Sequence, residues 1–186
     1  MTSHASAVRP LPDLAFRTAR LEDAAATAAF AEQVFRDTFG AHNSPQDMDA
    51  HCRATFGVAQ IEREITDPDR HTVLATVGGA IAGYLLLRAG EPPACVTGPD
   101  PYELKRLYVS RPWHGTGVAD ALMTHAIDLA QQRGARTFYL SVWLHNHRAI
   151  AFYTRHGFTT VGTAPFQLGA DIQNDPIMAR ELPGRA

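Results

Sequence analysis

A chain of 186 residues is one domain by the usual size prior and long enough to bury a sizeable core. Hydrophobic residues make up 45% and charged residues 19%, which excludes a disordered chain, and a net charge of −2 argues against a general nucleic-acid binder. Cys52 and Cys95, far apart, offer neither a disulfide framework nor a zinc spacing, and they suit a reducing cytoplasm. The longest apolar run, 73–87, is broken by Gly78, Gly79 and Gly83 and is too short for a bilayer, so no membrane partner is expected. Residues 1–12 read as a floppy leader and 13–183 as a single domain. Charge is uneven. Between Asp13 and Asp69 eleven acidic residues face five arginines, whereas from Arg70 onward eight acidic residues face eleven basic ones. Such a division fits a cationic partner at the front and an anionic one behind, or simply two solvated faces.

In chain order, Leu14 to Arg17 alternates as a short strand, and Asp23 is placed to cap a helix from Ala24 to Thr38. Ser44 and Pro45 start a second helix, 46–56, and Val58 to Ile65 makes a short third. The period then changes. His71 to Val77 and Ala80 to Arg88 form a hairpin about Gly78-Gly79, and 90–100, with its prolines, reads as an exposed loop. A strand from Leu104 to Val109 follows, then a glycine turn and a helix with Ala119, Leu122, Met123, Ala126, Ile127 and Ala130 on one stripe. Gly134 ends that helix. Arg136 to Val142 is a strand, Asn146 to Arg155 a helix, and Thr159 to Thr163 and Ile177 to Leu182 are the last strands. The order implies an α/β (α+β) fold with a mixed sheet and helices on both faces.

The turn His114-Gly115-Thr116-Gly117-Val118-Ala119 joins a strand to a helix N-terminus, where free amides and the helix dipole favour an anion. A dinucleotide fingerprint would need glycine at Asp120, and a kinase-type loop would need a lysine after the glycines, whereas the sole lysine, Lys105, lies upstream. Asn146 and Tyr153, seven residues apart, share a helix face. An amide and a phenol beside a pyrophosphate site suit a thioester cofactor. They are equally compatible with a plain N-cap and a half-buried aromatic.

The run Leu107-Tyr108-Val109-x-x-Pro112-x-His114-Gly115-Thr116-Gly117-Val118-Ala119 resembles motif A of the GNAT superfamily of acetyl-CoA-dependent N-acetyltransferases. Asn146-x-x-Ala149-Ile150-x-Phe152-Tyr153-x-x-x-Gly157-Phe158 looks like its motif B. Asp37-Thr38-Phe39, Asn43-Ser44-Pro45-x-x-Met48 and the tail Phe166-x-x-Gly169-x-Asp171-x-Gln173-x-Asp175-x-Ile177-Met178 are similar to PaiA-type bacterial polyamine acetyltransferases. So is Val142-Trp143, ahead of Asn146.

The resemblance implies a mostly antiparallel sheet of about seven strands whose splayed centre forms the CoA cleft. It implies acetyl transfer to a primary amine, a polyamine first of all, by direct attack. Leu107, Tyr108 and Val109 would line the pantetheine arm, with a bulge near Tyr108 aiming an amide at the thioester carbonyl. His114, Gly115, Thr116, Gly117, Val118 and Ala119 would hold the pyrophosphate, Asn146 would contact the cofactor, and Tyr153 would protonate the leaving thiolate. Glu103 is the first candidate base, against a reading as a solvent-facing strand residue. Asp37 and Asp47 would hold a polyamine by charge. Relatives are often homodimers. Two departures stand out: His114 replaces the usual arginine or glutamine, and Leu144 replaces the acid that commonly follows the tryptophan. Acetylation of proteins or peptides, and a non-catalytic acyl-CoA-binding role, are the alternatives. His145 and His147 lack a third nearby ligand, so no metal is expected.

Overall fold

The computed structural model describes residues 13–168 and 171–184. The expected leader, 1–12, and Gly169 of the tail motif lie outside the described residues. Seven strands form one sheet: β1 (Leu14–Thr18), β2 (Arg70–Val77), β3 (Ala80–Arg88), β4 (Pro101–Val109), β5 (Thr137–Ser141), β6 (Thr159–Leu168) and β7 (Asp171–Glu181), in the order β1-β2-β3-β4-β5-β7-β6. Every neighbouring pair is antiparallel except β4 with β5.

Five α-helices flank it: α1 (Ala24–Phe39), α2 (Pro45–Phe56), α3 (Val58–Thr66), α4 (Val118–Gln132) and α5 (His147–Arg155). The α4 stripe is buried as its spacing demands, with Leu122, Met123, Ala126 and Ala130 all at 0% exposure against β3 and β4 residues such as Leu85 and Leu104. Each of the two larger side chains contributes about 1.5–3 kcal/mol by leaving water. The opposite face packs under α1 and α2 through Phe35, Met48, Cys52 and Phe56 against Leu74, Tyr84 and Leu86. Ser44 caps α2 by accepting the Asp47 amide at 3.1 Å, with Pro45 at the first helical position, as read from the sequence.

Four expectations change. Asp23 stands at the start of α1 but makes no side-chain cap; its carboxylate instead accepts both Arg17 guanidinium nitrogens at 2.6 Å and the Arg20 amide at 2.7 Å, which holds its pKa down at about 2. Segment 90–100 is not simply exposed: Val96 is buried against Tyr139, Ile177 and Ala179, and Pro99 accepts the Thr137 hydroxyl at 2.7 Å. β4 starts three residues earlier than its apolar run, at Pro101. β6 and β7 form a long hairpin reaching Leu168 and Asp171, so the polar stretch before Ile177 is strand.

One buried ion pair ties the helical layer to the sheet. Arg106 of β4, 8% exposed, donates to both Glu64 oxygens at 2.6 and 3.1 Å, and Glu64 of α3 is 3% exposed. Arg70 reaches the same carboxylate at 3.3 Å, and the Arg106 guanidinium lies 5.2 Å from the Phe56 ring centre. Removing one partner leaves a buried charge uncompensated. Glu64→Ala is therefore expected to cost about 3–5 kcal/mol. At roughly 2–4 °C per kcal/mol for a domain of this size, thermal unfolding would register a large drop in Tm, and a negligible drop would show that the pair does not hold α3 in place.

Candidate active site

β4 and β5 are paired for three residues only, ending at Glu103 opposite Tyr139. Beyond that point they part. β4 stays with β3 as far as Gly83 opposite Val109, while β5 stays with β7. The Ser110 amide bonds to the Ala82 carbonyl at 3.0 Å, so by the alternation of an antiparallel ladder Tyr108 also faces β3. The backbone groups of Leu107 and Val109 face the gap. This corrects the expectation of a bulge near Tyr108. The register slip lies opposite Leu86 and Leu87, where Lys105 is the extra residue, and the amide suited to a thioester carbonyl belongs to Leu107. Tyr108 instead presents its ring, 5.5 Å from Tyr84 and 6.3 Å from Phe56.

Above the gap lies the glycine turn. Gly115 and Gly117 take φ of 74° and 96°, and Gly117 is the α4 N-cap, with no side chain to occupy the first amides of the helix. The amides of Val118 and Ala119 thus have no intrahelical acceptor. Thr116 is committed elsewhere, with both its hydroxyl, at 2.8 Å, and its amide, at 3.4 Å, on the Trp113 carbonyl. The Val118 side chain is fully buried in the core. Gly115 and Ala119 line the main cavity.

His114 does something the sequence could not show. Its Nε2 lies 2.8 Å from the Val109 carbonyl, and its Nδ1 lies 2.9 Å from an Arg148 guanidinium nitrogen. One tautomer serves both contacts, with Nε2–H donating to Val109 and Nδ1 accepting from Arg148. The histidine therefore carries a cation from α5 to the rim of the cradle. Arg155, also on α5, lines the cavity and sits 3.7 Å from Asp120 of α4. Neither arginine was singled out from the sequence; a helix opening with Arg148 two residues past the Asn146 cap was the available sign.

Asn146 caps α5, its side-chain oxygen accepting the Ala149 amide at 3.1 Å, and it lines the cavity. Tyr153 lines it as well, packed on Phe152 and Phe158. Burial pushes the Tyr153 phenol up to about 12, so it stays protonated throughout the neutral range. The cavity, about 930 Å³, runs from the glycine turn along the β4–β5 gap and under α1 and α2. A helix N-terminus with free amides, strand edges facing a gap, and a protonated phenol along one cavity fit acetyl-CoA.

The sequence-predicted acids are scattered. Glu103 is 5% exposed on the cavity wall, tied to Arg88 by a short ion pair and 3.6 Å from Lys105, so it is not a solvent-facing strand residue. Asp37 lines a smaller cavity of about 410 Å³ beside His114 and Arg148, pairing with Arg111 at 3.9 Å. Asp47 accepts the Ser44 hydroxyl at the start of α2 and lines neither cavity. The lining of the main cavity instead includes the aromatic residues Phe35, Phe39, His51, Phe56, Trp143 and Phe166 and the acidic residues Glu91 and Asp175. Among the described residues no group of three or more His, Cys, Asp or Glu could hold a metal ion, and no helix is long and apolar enough to cross a membrane.

The chain matches the model of the Acetyltransferase (GNAT) family over residues 29–158. An uncharacterized N-acetyltransferase of Mycobacterium tuberculosis is 35% identical over 87% of this chain and 99% of its own length. One from Lactobacillus delbrueckii subsp. lactis is 30% identical over 83% of this chain and 89% of its own. Among solved structures, a PaiA N-acetyltransferase from Thermoplasma acidophilum in complex with coenzyme A superposes with a TM-score of 0.76 at 19% identity, covering 91% of this chain and 99% of that one. An aminoglycoside 6'-acetyltransferase type Ii superposes at 0.65 and 18%, covering 92% and 99%. With its parted strands, uncapped glycine turn and buried phenol, the chain belongs to the Acetyltransferase (GNAT) family and is an acetyl-CoA-dependent N-acetyltransferase.

Proposed function

We propose that the acceptor is a primary amine of a polyamine. The observation that supports this is the lining of the cavity, which combines aromatic residues suited to an ammonium group with the acidic residues Glu91 and Asp175. Arg88 and Arg106 also line it, but each is matched by a glutamate, Glu103 and Glu64. Glu91 and Asp175 then supply the charge that Asp37 and Asp47, outside this cavity, do not. A large fold-level likeness to a PaiA enzyme agrees with this reading without carrying it.

In this mechanism the amides of Val118 and Ala119, helped by Arg148 and Arg155, would hold the pyrophosphate, and the Leu107 backbone groups with the Val109 amide would fix the pantetheine arm in the gap. The Leu107 amide stabilises the oxyanion as the amine nitrogen attacks the thioester carbon. Tyr153 gives its proton to sulfur as the carbon–sulfur bond breaks.

A thiol-release assay with spermidine, simple monoamines and basic peptides tests the acceptor class. Preference for peptides over every small amine would replace the polyamine reading. Tyr153→Phe, which keeps the ring packing, is expected to lower kcat by about 100-fold or more with the KM for acetyl-CoA nearly unchanged; undiminished kcat would remove Tyr153 as the acid. For Arg148→Ala the pattern should invert. Losing a charge-assisted contact of about 1.5–3 kcal/mol would raise that KM roughly tenfold or more with little change in kcat, and an unchanged KM would take Arg148 out of the cradle.

A further inference from the structure

The reaction needs a proton acceptor, because an alkylammonium cannot attack. At pH 7 roughly one amine in a thousand is neutral, given a reference pKa near 10. Two buried carboxylates face the cavity, Glu103 at 5% and Asp175 at 4% exposure, and they share one face of the sheet. Glu103 pairs in register with Tyr139, Tyr139 with Ala179, and Asp175 lies an even number of residues from Ala179 along β7.

Their positions along the strands differ. β4 and β5 are parallel and last level at Glu103 and Tyr139. Leu107, whose amide faces the gap, is four residues past Glu103, and Trp143 is four past Tyr139. Asp175 sits at that far level. The Val142 amide bonds to the neighbouring Pro176 carbonyl at 3.1 Å, and Asp175 Oδ1 accepts the Leu144 amide at 3.2 Å. Glu103 lies behind by roughly 10–13 Å, at about 3.3 Å per strand residue.

Their partners differ too. Glu103 is engaged by Arg88 and Lys105. Among the described residues no cation pairs with Asp175, and its partner across the β6–β7 ladder is the uncharged Ala164. We propose that Asp175 is the residue that takes the proton from the acceptor ammonium, from a carboxylate seated against the backbone of Leu144. Leu144 follows Trp143 with no charge of its own, and β7, the strand paired with β5, supplies a carboxylate to its backbone. Burial raises the Asp175 pKa, opposed by the Leu144 amide and by His145, which brings the carboxylate nearer in basicity to its task.

The proton balance closes. Asp175 accepts one proton from R–NH3+ and passes it to solvent. The freed nitrogen forms the carbon–nitrogen bond, the carbon–sulfur bond breaks, and Tyr153 protonates sulfur. The second proton lost by nitrogen replaces the one Tyr153 gave.

This assignment rests on a basic amine being the acceptor, and the test separates the two. Asp175→Asn retains an oxygen for the Leu144 amide while abolishing the base. On the best strongly basic amine it is expected to lower kcat/KM by about 100-fold or more, and on a weakly basic amine already neutral at pH 7 by less than about tenfold. Its Tm should stay level or rise, because a desolvated carboxylate is replaced by a neutral amide. Glu103→Gln should affect both amines alike. Equal loss on both amines, or undiminished turnover, for Asp175→Asn overturns the assignment, as does an amine-dependent loss in Glu103→Gln instead. If the unsubstituted protein acetylates only weakly basic amines, the basic-amine reading falls and the assignment falls with it.

Discussion

The separation of β4 from β5 is the constraint on which the rest of the molecule depends. It has a mechanical origin in the neighbours on either side. A Cβ at Gly83 would meet the Tyr108 carbonyl at 2.8 Å, so this glycine lets β3 and β4 approach closely out to the Val109 level. On the other flank β5 follows β7 for five successive pairs from Thr137 to Ser141. Each central strand is thus committed to its outer partner. With β4 and β5 joined only over 101–103 and 137–139, the right-handed twist of the two half-sheets opens a wedge between them. The glycine turn, α4 and α5 are arranged around the mouth of that wedge.

Charge within the cavity is arranged by cancellation. Arg106 is neutralised by Glu64 and Arg88 by Glu103, which turns four ionic side chains into rigid wall. On the cradle side the cations Arg148 and Arg155 are held by contacts to His114 and Asp120, both in or just after the glycine turn. His114 therefore holds the Arg148 guanidinium at the edge of the turn through one ring nitrogen while the other is tied to Val109.

How much of this was legible beforehand follows the reach of local pattern. The β-rich runs on either side of the glycine pair made β2 and β3 plain, and the apolar stripe from Ala119 to Ala130 made α4 plain. Asn146 and Tyr153 were findable because a helix puts residues seven apart on one face. The first half of β7 was not, because its cavity-facing residues Gln173 and Asp175 are polar and only Ile177 and Ala179, on the same face, enter a core. A strand whose one face passes from solvent-accessible cavity to buried cluster has no single hydrophobic period. Pairings such as Arg106 with Glu64, 42 residues apart, leave no trace in local sequence at all. Charge density along the chain likewise does not report which side chains share a cavity, and Asp37 and Asp47 are not among the residues that line the main one.

The uneven sheet carries a consequence for how the cofactor is held. Leu107 turns its amide and carbonyl, and Val109 its amide, toward a neighbour that is absent at their level, so an extended amide-bearing molecule can complete the sheet as a surrogate strand. Binding by backbone pairing reads the spacing of amides along a chain rather than the shape of a side group.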